Sequence, residues 1–376
     1  MFDVDVSAGQ GRFIRSRGGC GNAIELANPS CFSDKHASRV IITFPGLITM
    51  PRLLDPLKVK HVTLRNRIVM PPMLTGLATQ EGSVTDRLID HYVRRAKSVG
   101  LIITEYSYVT LGGQGADQQL GIHDDTLIPG LKELAESIHA EGTPVVVQIM
   151  HAGAKAQTAE SLQPVAPSPT GQARQLNEQE LDVLAYAFGR AAQRAIQAGF
   201  DGVEVHGAHG FLLNQFLSPL TNQRTDQYGG SLVNRIRFPL EVVACVRKQI
   251  GDKLLLYRLG ADDLAANGTR IEDAQQFAVK LAAAGVDIID VSGGLCGGAP
   301  PTLQGIQGYF IPQAHQVKQK VKVPVIGVGG ITEAVFADHV LQEKQVDLVA
   351  VGRALLRDPD WAAKAIQTLR SSKKTE

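Results

Sequence analysis

The chain has 376 residues, 44% of them hydrophobic and 20% charged, with a formal net charge of +1. That balance describes a globular protein with a large apolar core, and it gives no electrostatic reason to expect nucleic acid or a membrane surface as a partner. The apolar run "VIITFPGLI" (Val40 to Ile48) carries a proline and falls short of the roughly 18 residues of a membrane span, so no membrane association is expected.

In chain order, residues 1–49 come first and read differently from the rest. They are rich in Gly and Ser and show no apolar period, which predicts a flexible extension ahead of one domain over 50–376. The segment lacks the apolar core of a signal peptide, and Asp3, Asp5, Glu25 and Asp34 argue against a transit peptide. A cytoplasmic location is expected. The four cysteines, Cys20, Cys31, Cys245 and Cys296, form no CxxC pair, so neither a thiolate metal site nor an iron–sulfur cluster is expected.

From Pro51 onward, short β-branched apolar runs alternate with amphipathic segments. The runs are "RIVMP" (67–71), "LIITE" (101–105), "VVVQI" (145–149), "GVEVH" (202–206), "LLLYR" (254–258), "DIIDV" (287–291), "VPVIGV" (323–328) and "DLVAVG" (347–352). Unbroken apolar runs of this length suit strands buried on both faces of a parallel sheet. Segments such as "TLIPGLKELAESIHAEG" and "EQELDVLAYAFGRAAQRAIQAG" between them read as helices closed by glycine. Eight such units predict an α/β fold, a (β/α)8 TIM barrel. The alternative, a doubly wound sheet, would show fewer strands and an early GxGxxG, which this chain lacks.

A barrel places functional side chains at the C-terminal ends of its strands. The residues there are Gln148, His206, His209, Arg258, Ser292, Gly329, Gly330, Gly352 and Arg353. "GVGGIT" (Gly327 to Thr332) and "VGRALLRDP" (Val351 to Pro359) put glycine turns after strands seven and eight. Backbone N–H groups exposed there, with the guanidinium of Arg353, predict a phosphate site.

Four stretches carry a resemblance: "LRNRIVMPPM", "QIMHAGAKA", "VEVHGAHGFLLNQFLSPLTNQRTDQYGGSLVNRIRF" and "VAVGRALLRDPDW". Over about Leu53 to Trp361 the chain resembles the old yellow enzyme family of FMN-dependent oxidoreductases, in particular its ene-reductase and 2,4-dienoyl-CoA reductase-like branches. The resemblance implies FMN at the barrel mouth, reduced by NADH or NADPH. Pro72 and Met73 would contact the ring through their backbone, and Gln148 would bond its pyrimidine edge. Arg258 would face the N1/O2 side, where a cation favours reduction. Ser292, Gly329, Gly330, Gly352 and Arg353 would hold the phosphate end. The dienoyl-CoA reductases continue into a cysteine-rich segment and a second nucleotide-binding domain. This chain has no cysteine beyond Cys296, so reduction directly by the nicotinamide nucleotide is expected.

His206 and His209 admit a zinc site, a core role, or a pair of N–H donors to one substrate oxygen. No third ligand stands at a familiar spacing, so metal is not expected. In the resembling family these positions polarise a carbonyl or nitro group conjugated to C=C, and the substrate is then a small electron-poor alkene or nitro compound. Most of the family carries a proton-donating tyrosine two residues later, where this chain has Phe211. Phenylalanine has no transferable proton. Tyr106 becomes the candidate replacement, with Tyr309 behind it, and nitro reduction or oxidation of NAD(P)H by dioxygen becomes an alternative chemistry. Leu74 is a second departure: some members of the resembling family place Thr or Cys there. A non-catalytic flavin sensor and a flavin-free sugar-phosphate barrel are rival readings; homo-oligomerisation is left open.

Overall fold

The computed structural model of the protein describes residues 50, 52–157 and 162–372. The extension expected over 1–49 lies outside the described residues. Eight parallel strands close into a barrel: β1 (Ile68–Met70), β2 (Leu101–Tyr108), β3 (Val145–Met150), β4 (Gly202–Gly207), β5 (Leu254–Gly260), β6 (Ile288–Ser292), β7 (Val325–Gly327) and β8 (Leu348–Ala350). Each strand pairs with its sequence neighbours, and β8 returns to β1, so the expected (β/α)8 architecture is the one observed. All eight predicted apolar runs are strands.

Helices α1 (Asp86–Ala96), α2 (Ile128–Ala140), α3 (Glu178–Gln197), α4 (Arg237–Ile250), α5 (Ile271–Ala283), α6 (Ile311–Lys318), α7 (Ala334–Gln342) and α8 (Trp361–Ser372) follow the strands in turn. Their ends are written in the sequence. Asn177 and Glu180 form a capping box at the start of α3. Beyond the ends of α2 and α3, Gly142 and Gly199 take left-handed conformations (φ 71° and 88°) that favour glycine.

The lower barrel interior is filled by Val69, Leu101, Ile103, Val146, Leu254, Leu256, Ile288, Ile326 and Leu348. A hairpin of Leu57–Val59 and Val62–Leu64 packs Val59, Val62 and Leu64 against this set. The alternate residues, such as Val147, Val203 and Val349, face outward onto the helices.

A recurring device joins strands in pairs at the N-terminal face. Asp201, just before β4, accepts from Val145 N (2.8 Å) near the start of β3. Asp287 before β6 accepts from Leu255 N (2.8 Å) in β5, and Asp347 before β8 accepts from Val325 N (3.0 Å) in β7. Each carboxylate also meets a basic side chain in the last turn of the helix preceding the pair: His139 (2.8 Å), Arg247 (2.6 Å) and Lys318 (2.5 Å). Asn66 ties the first pair, accepting from Ile68 N and donating to Ser98 O before β2.

Two expectations follow. Asp287→Ala removes a strand bond and the partner of Arg247, and should cost about 2–4 kcal/mol in urea unfolding, whereas Val233→Ala, at a side chain 68% exposed, should leave the midpoint in place. The bond from Asp201 raises the affinity of His139 for its proton. Its contribution is therefore complete below the unfolded histidine value of about 6.5 and fades as pH rises through the folded value. His139→Ala should cost more stability at acidic than at alkaline pH; an equal loss at both would refute the ion pair.

Candidate active site

The same alternation that packs the barrel floor carries polar groups into its upper interior. Above Val146 stands Gln148; Glu204 and then His206 follow on β4; above Leu256 stands Arg258; above Ile288 stand Asp290 and Ser292. All six are essentially buried. Gln148 Nε2 donates to Glu204 Oε1 (2.7 Å), and Arg258 Nε lies 3.6 Å from Asp290 Oδ2, an ion pair too long for a hydrogen bond. Burial raises the carboxyl pKa of Glu204 well above the usual range, the charge of Asp290 adding to it while Arg258 and Gln148 oppose. Burial also raises Asp290 to about 6, with Arg258 opposing. Two acids share one cation, so Glu204 is the one that stays protonated.

His206 lies one residue before the end of β4, and its Nδ1 accepts from Ala208 N (3.3 Å), which leaves the proton on Nε2. His209 sits in the following turn with φ 59°, a left-handed conformation unusual for a side chain of this size. The turn is held from three sides. Asn214 Oδ1 accepts from Gly210 N (2.7 Å), Gln215 Nε2 donates to Gly210 O (2.8 Å), and Lys155 Nζ donates to His209 O (2.8 Å). The two imidazoles stand edge to face with centroids 5.1 Å apart. Burial lowers both pKa values well below the ordinary histidine range. The second ring, Arg258 and Lys155 push His206 further down, and Arg258 and Lys155 do the same for His209. Both rings are neutral.

Ser292 is placed beside the histidines: its hydroxyl is 2.8 Å from His209 Nε2. The resemblance would place Ser292 at the phosphate end; here its side chain, at the top of β6, meets the neighbouring turn. Tyr106, half-buried, joins this group, with its ring 5.5 Å from Phe211 and 6.2 Å from His206. Phe211 in turn lies edge to face with His206 at 5.1 Å. Burial, with the charge of Glu105, raises the Tyr106 hydroxyl to about 12.

The glycine turns form a second focus. Gly329 (φ 133°) and Gly330 (φ 61°) need conformations that favour glycine. A Cβ on Gly330 would stand 3.4 Å from Arg353 Nη2, and one on Gly352 would stand 3.0 Å from Met73 Sδ. The ends of β1, β7 and β8 therefore meet at one cradle. The amides of Gly329, Gly330 and Gly352 donate to no backbone group outside regular elements. Tyr309 belongs here and not with the proton-transfer group: it accepts from Arg353 Nη2 (3.0 Å) and donates to Gly298 O (2.7 Å). Its proton is committed to that carbonyl.

These residues fit a flavin mononucleotide. Gln148 Oε1 is a buried acceptor and Arg258 Nε a buried donor, neither with a hydrogen-bond partner among the described residues, as a ring edge carrying N–H and carbonyl groups requires. Free amides beside an arginine suit a phosphate. Pro72 is buried just beyond β1, and Met73 lies against Gly352. Leu74 is half-buried, while Thr75 turns inward and donates twice to the buried Glu105, through N (3.1 Å) and Oγ1 (2.5 Å). Glu105, Glu204, Asp290 and Lys155 are members of the site that strand-end reading passed over. The signal was present: an acid inside each of the apolar runs "LIITE", "GVEVH" and "DIIDV".

The chain matches the NADH:flavin oxidoreductase / NADH oxidase family over residues 52–372. It is 43% identical over 329 residues to an NADH oxidase of Thermoanaerobacter brockii, a match covering 84% of this chain and 50% of the relative. An NADPH dehydrogenase of Geobacillus sp. is 37% identical over 331 residues, covering 85% and 96%. Among solved structures, 2-naphthoyl-CoA reductase in complex with 2-naphthoyl-CoA has a TM-score of 0.79 at 29% identity, over 84% of this chain and 52% of that one. Morphinone reductase in complex with tetrahydroNAD has a TM-score of 0.74 at 31% identity, over 85% and 91%. The chain thus spans about half the length of the NADH oxidase and nearly all of the NADPH dehydrogenase. With a flavin cradle and a neutral histidine pair on a parallel barrel, the chain belongs to the NADH:flavin oxidoreductase / NADH oxidase family, an oxidoreductase of old yellow enzyme type that uses FMN with NADH or NADPH.

Proposed function

We propose that the protein reduces an electron-poor C=C bond, of the enone or enoate kind, in a small molecule. Bound FMN supplies hydride chemistry, taking two electrons from NADH or NADPH and making them available to the acceptor. The observation that carries the reading is the neutral His206 with Nε2–H free beside His209, facing an apolar wall of Phe211 and Tyr106. A neutral N–H donor strengthens its bond as negative charge develops on a carbonyl oxygen, which stabilises the transition state more than the ground state. Ser292 orients the second imidazole. Gln148 and Arg258 hold the ring edge, and Gly329, Gly330, Gly352 and Arg353, with Pro72 and Met73 behind them, hold the rest of the cofactor. Tyr106 forms one side of the acceptor pocket. A cytoplasmic setting, where reduced nicotinamide nucleotides are available, belongs to the same proposal.

A second reading, nitro reduction or NAD(P)H oxidation by dioxygen, is favoured by Phe211, because neither reaction requires a proton placed on carbon. The two separate in one experiment. Enzyme reduced anaerobically with NADPH is mixed with an enone, a nitroarene or dioxygen, and reoxidation is followed at the flavin absorbance band. Fast reoxidation by the enone supports ene reduction; reoxidation by the other two alone removes it.

Arg353→Ala should weaken FMN retention by about 1.5–3 kcal/mol through loss of a charge-assisted phosphate bond, read as a rise in the dissociation constant by flavin fluorescence. Unchanged affinity would remove the phosphate assignment. The double variant His206→Ala with His209→Ala should retain FMN and lose enone-dependent reoxidation. Because both rings are already neutral, the imidazole NMR signals of His206 and His209 should not titrate as pH passes the ordinary histidine value of about 6.5. A titration there would show that one imidazole carries charge.

A further inference from the structure

Reduction of an activated alkene adds a hydride to the β-carbon and a proton to the α-carbon. The phenyl group of Phe211 has no proton to give. Besides the histidine pair, which would hold the acceptor oxygen, two described side chains around it have one. Tyr106 is the first. Lys155, from the turn after β3, is the second: Nζ lies 5.7 Å from the centre of the Phe211 ring and is held by His209 O at 2.8 Å. A Cβ added at Gly210 would stand 2.6 Å from Nζ, so the ammonium sits directly against the histidine turn. One of its three N–H bonds goes to the His209 carbonyl, which leaves two for a substrate.

We propose that Lys155 is a catalytic residue, the general acid that protonates the α-carbon of the acceptor in place of a tyrosine hydroxyl. The assignment rests on the ene-reductase reading above. As hydride bonds to the β-carbon, the alkene electron pair shifts toward the carbonyl oxygen held by the histidines. That pair then forms the new C–H bond at the α-carbon with a proton from Nζ. The N–H bond breaks, its electrons stay on nitrogen, and the neutral amine regains a proton from water.

The surroundings favour the lysine over the tyrosine. Burial lowers the Lys155 pKa from the usual lysine value, whereas burial and Glu105 raise Tyr106 to about 12. The ammonium is thus the stronger acid of the two. The groups that face it are the neutral rings of His206 and His209, Arg258 beyond them, and Phe211. No carboxylate among the described residues contributes to its titration. With no carboxylate beside it among the described residues, and next to the histidine pair that would hold the acceptor oxygen, the ammonium is placed to give its proton to a developing enolate.

The test uses FMN-loaded protein and single-turnover reoxidation by an enone and by a nitroarene. Lys155→Met should slow the enone by about 10²-fold or more, within the range of a positioned general acid, and slow the nitroarene, whose reduction places no proton on carbon, far less. Lys155→Arg should be equally slow with the enone, because a guanidinium keeps the charge but does not give up a proton. Adding Phe211→Tyr to Lys155→Met should restore the enone rate. In the native enzyme that rate should fall as pH rises through the lysine pKa, and the fall should vanish in Lys155→Met. Full activity of Lys155→Arg would mean that charge alone matters and would overturn the proposal. So would native speed in Lys155→Met, or transfer of the loss to Tyr106→Phe. A native enzyme inert toward enones would overturn the underlying reading, a result separate from an active native enzyme with an active Lys155→Met.

Discussion

In a closed barrel of eight short parallel strands, every second side chain must point inward, and the interior has no outlet except at its two ends. The hairpin over Leu57–Leu64 stops the lower end with Val59, Val62 and Leu64. Polar groups that enter the barrel are therefore confined to its upper end. Gln148, Glu204, Arg258 and Asp290 are this protein's answer to that constraint. They are one register step above the last apolar layer. A single strand slipping by one residue would turn its polar group into the helix layer and leave the flavin edge without a partner.

Burying that set carries an electrostatic penalty, and the arrangement limits it. A buried pair of ionised acids with one arginine would leave an uncompensated charge. Keeping the proton on Glu204 leaves Arg258 and Asp290 to balance one another. The histidines are handled differently. Arg258 and Lys155 disfavour a positive charge on either ring, so they remain donors without becoming ions. The mouth can then hold a neutral acceptor close to two fixed cations without placing a third beside it.

The barrel was legible because each strand lies in a short, mostly apolar run and amphipathic segments alternate with them, two opening on side-chain caps at Thr85 and Asn177. The histidine turn and the glycine cradle were legible from their placement at strand ends. Ser292 was not, because strand-end position says nothing about which neighbour a short side chain will meet; the His209 turn reaches it across β5. Tyr309 lies far from any strand end in sequence, and only the return of its loop to Arg353 gives it a place. Lys155 was hidden for a similar reason. A lysine in a glycine-containing turn reads as solvent-exposed until the His209 carbonyl and the Phe211 ring are known to flank it.

Asn66, Asp201, Asp287 and Asp347 divide the barrel into four fastened couples, β1 with β2, β3 with β4, β5 with β6 and β7 with β8. Between couples the backbone ladder and packing are joined by fewer side-chain bonds, such as Arg67 Nη1 to Asp347 O (2.9 Å) across the β8–β1 seam. The unit of cohesion is thus two strands with their helices, while the active site draws on members of every couple. A gene that duplicated or exchanged one such couple would carry its own fastening with it and would alter only part of the mouth. Cohesion is modular here, and the chemistry is shared among the modules.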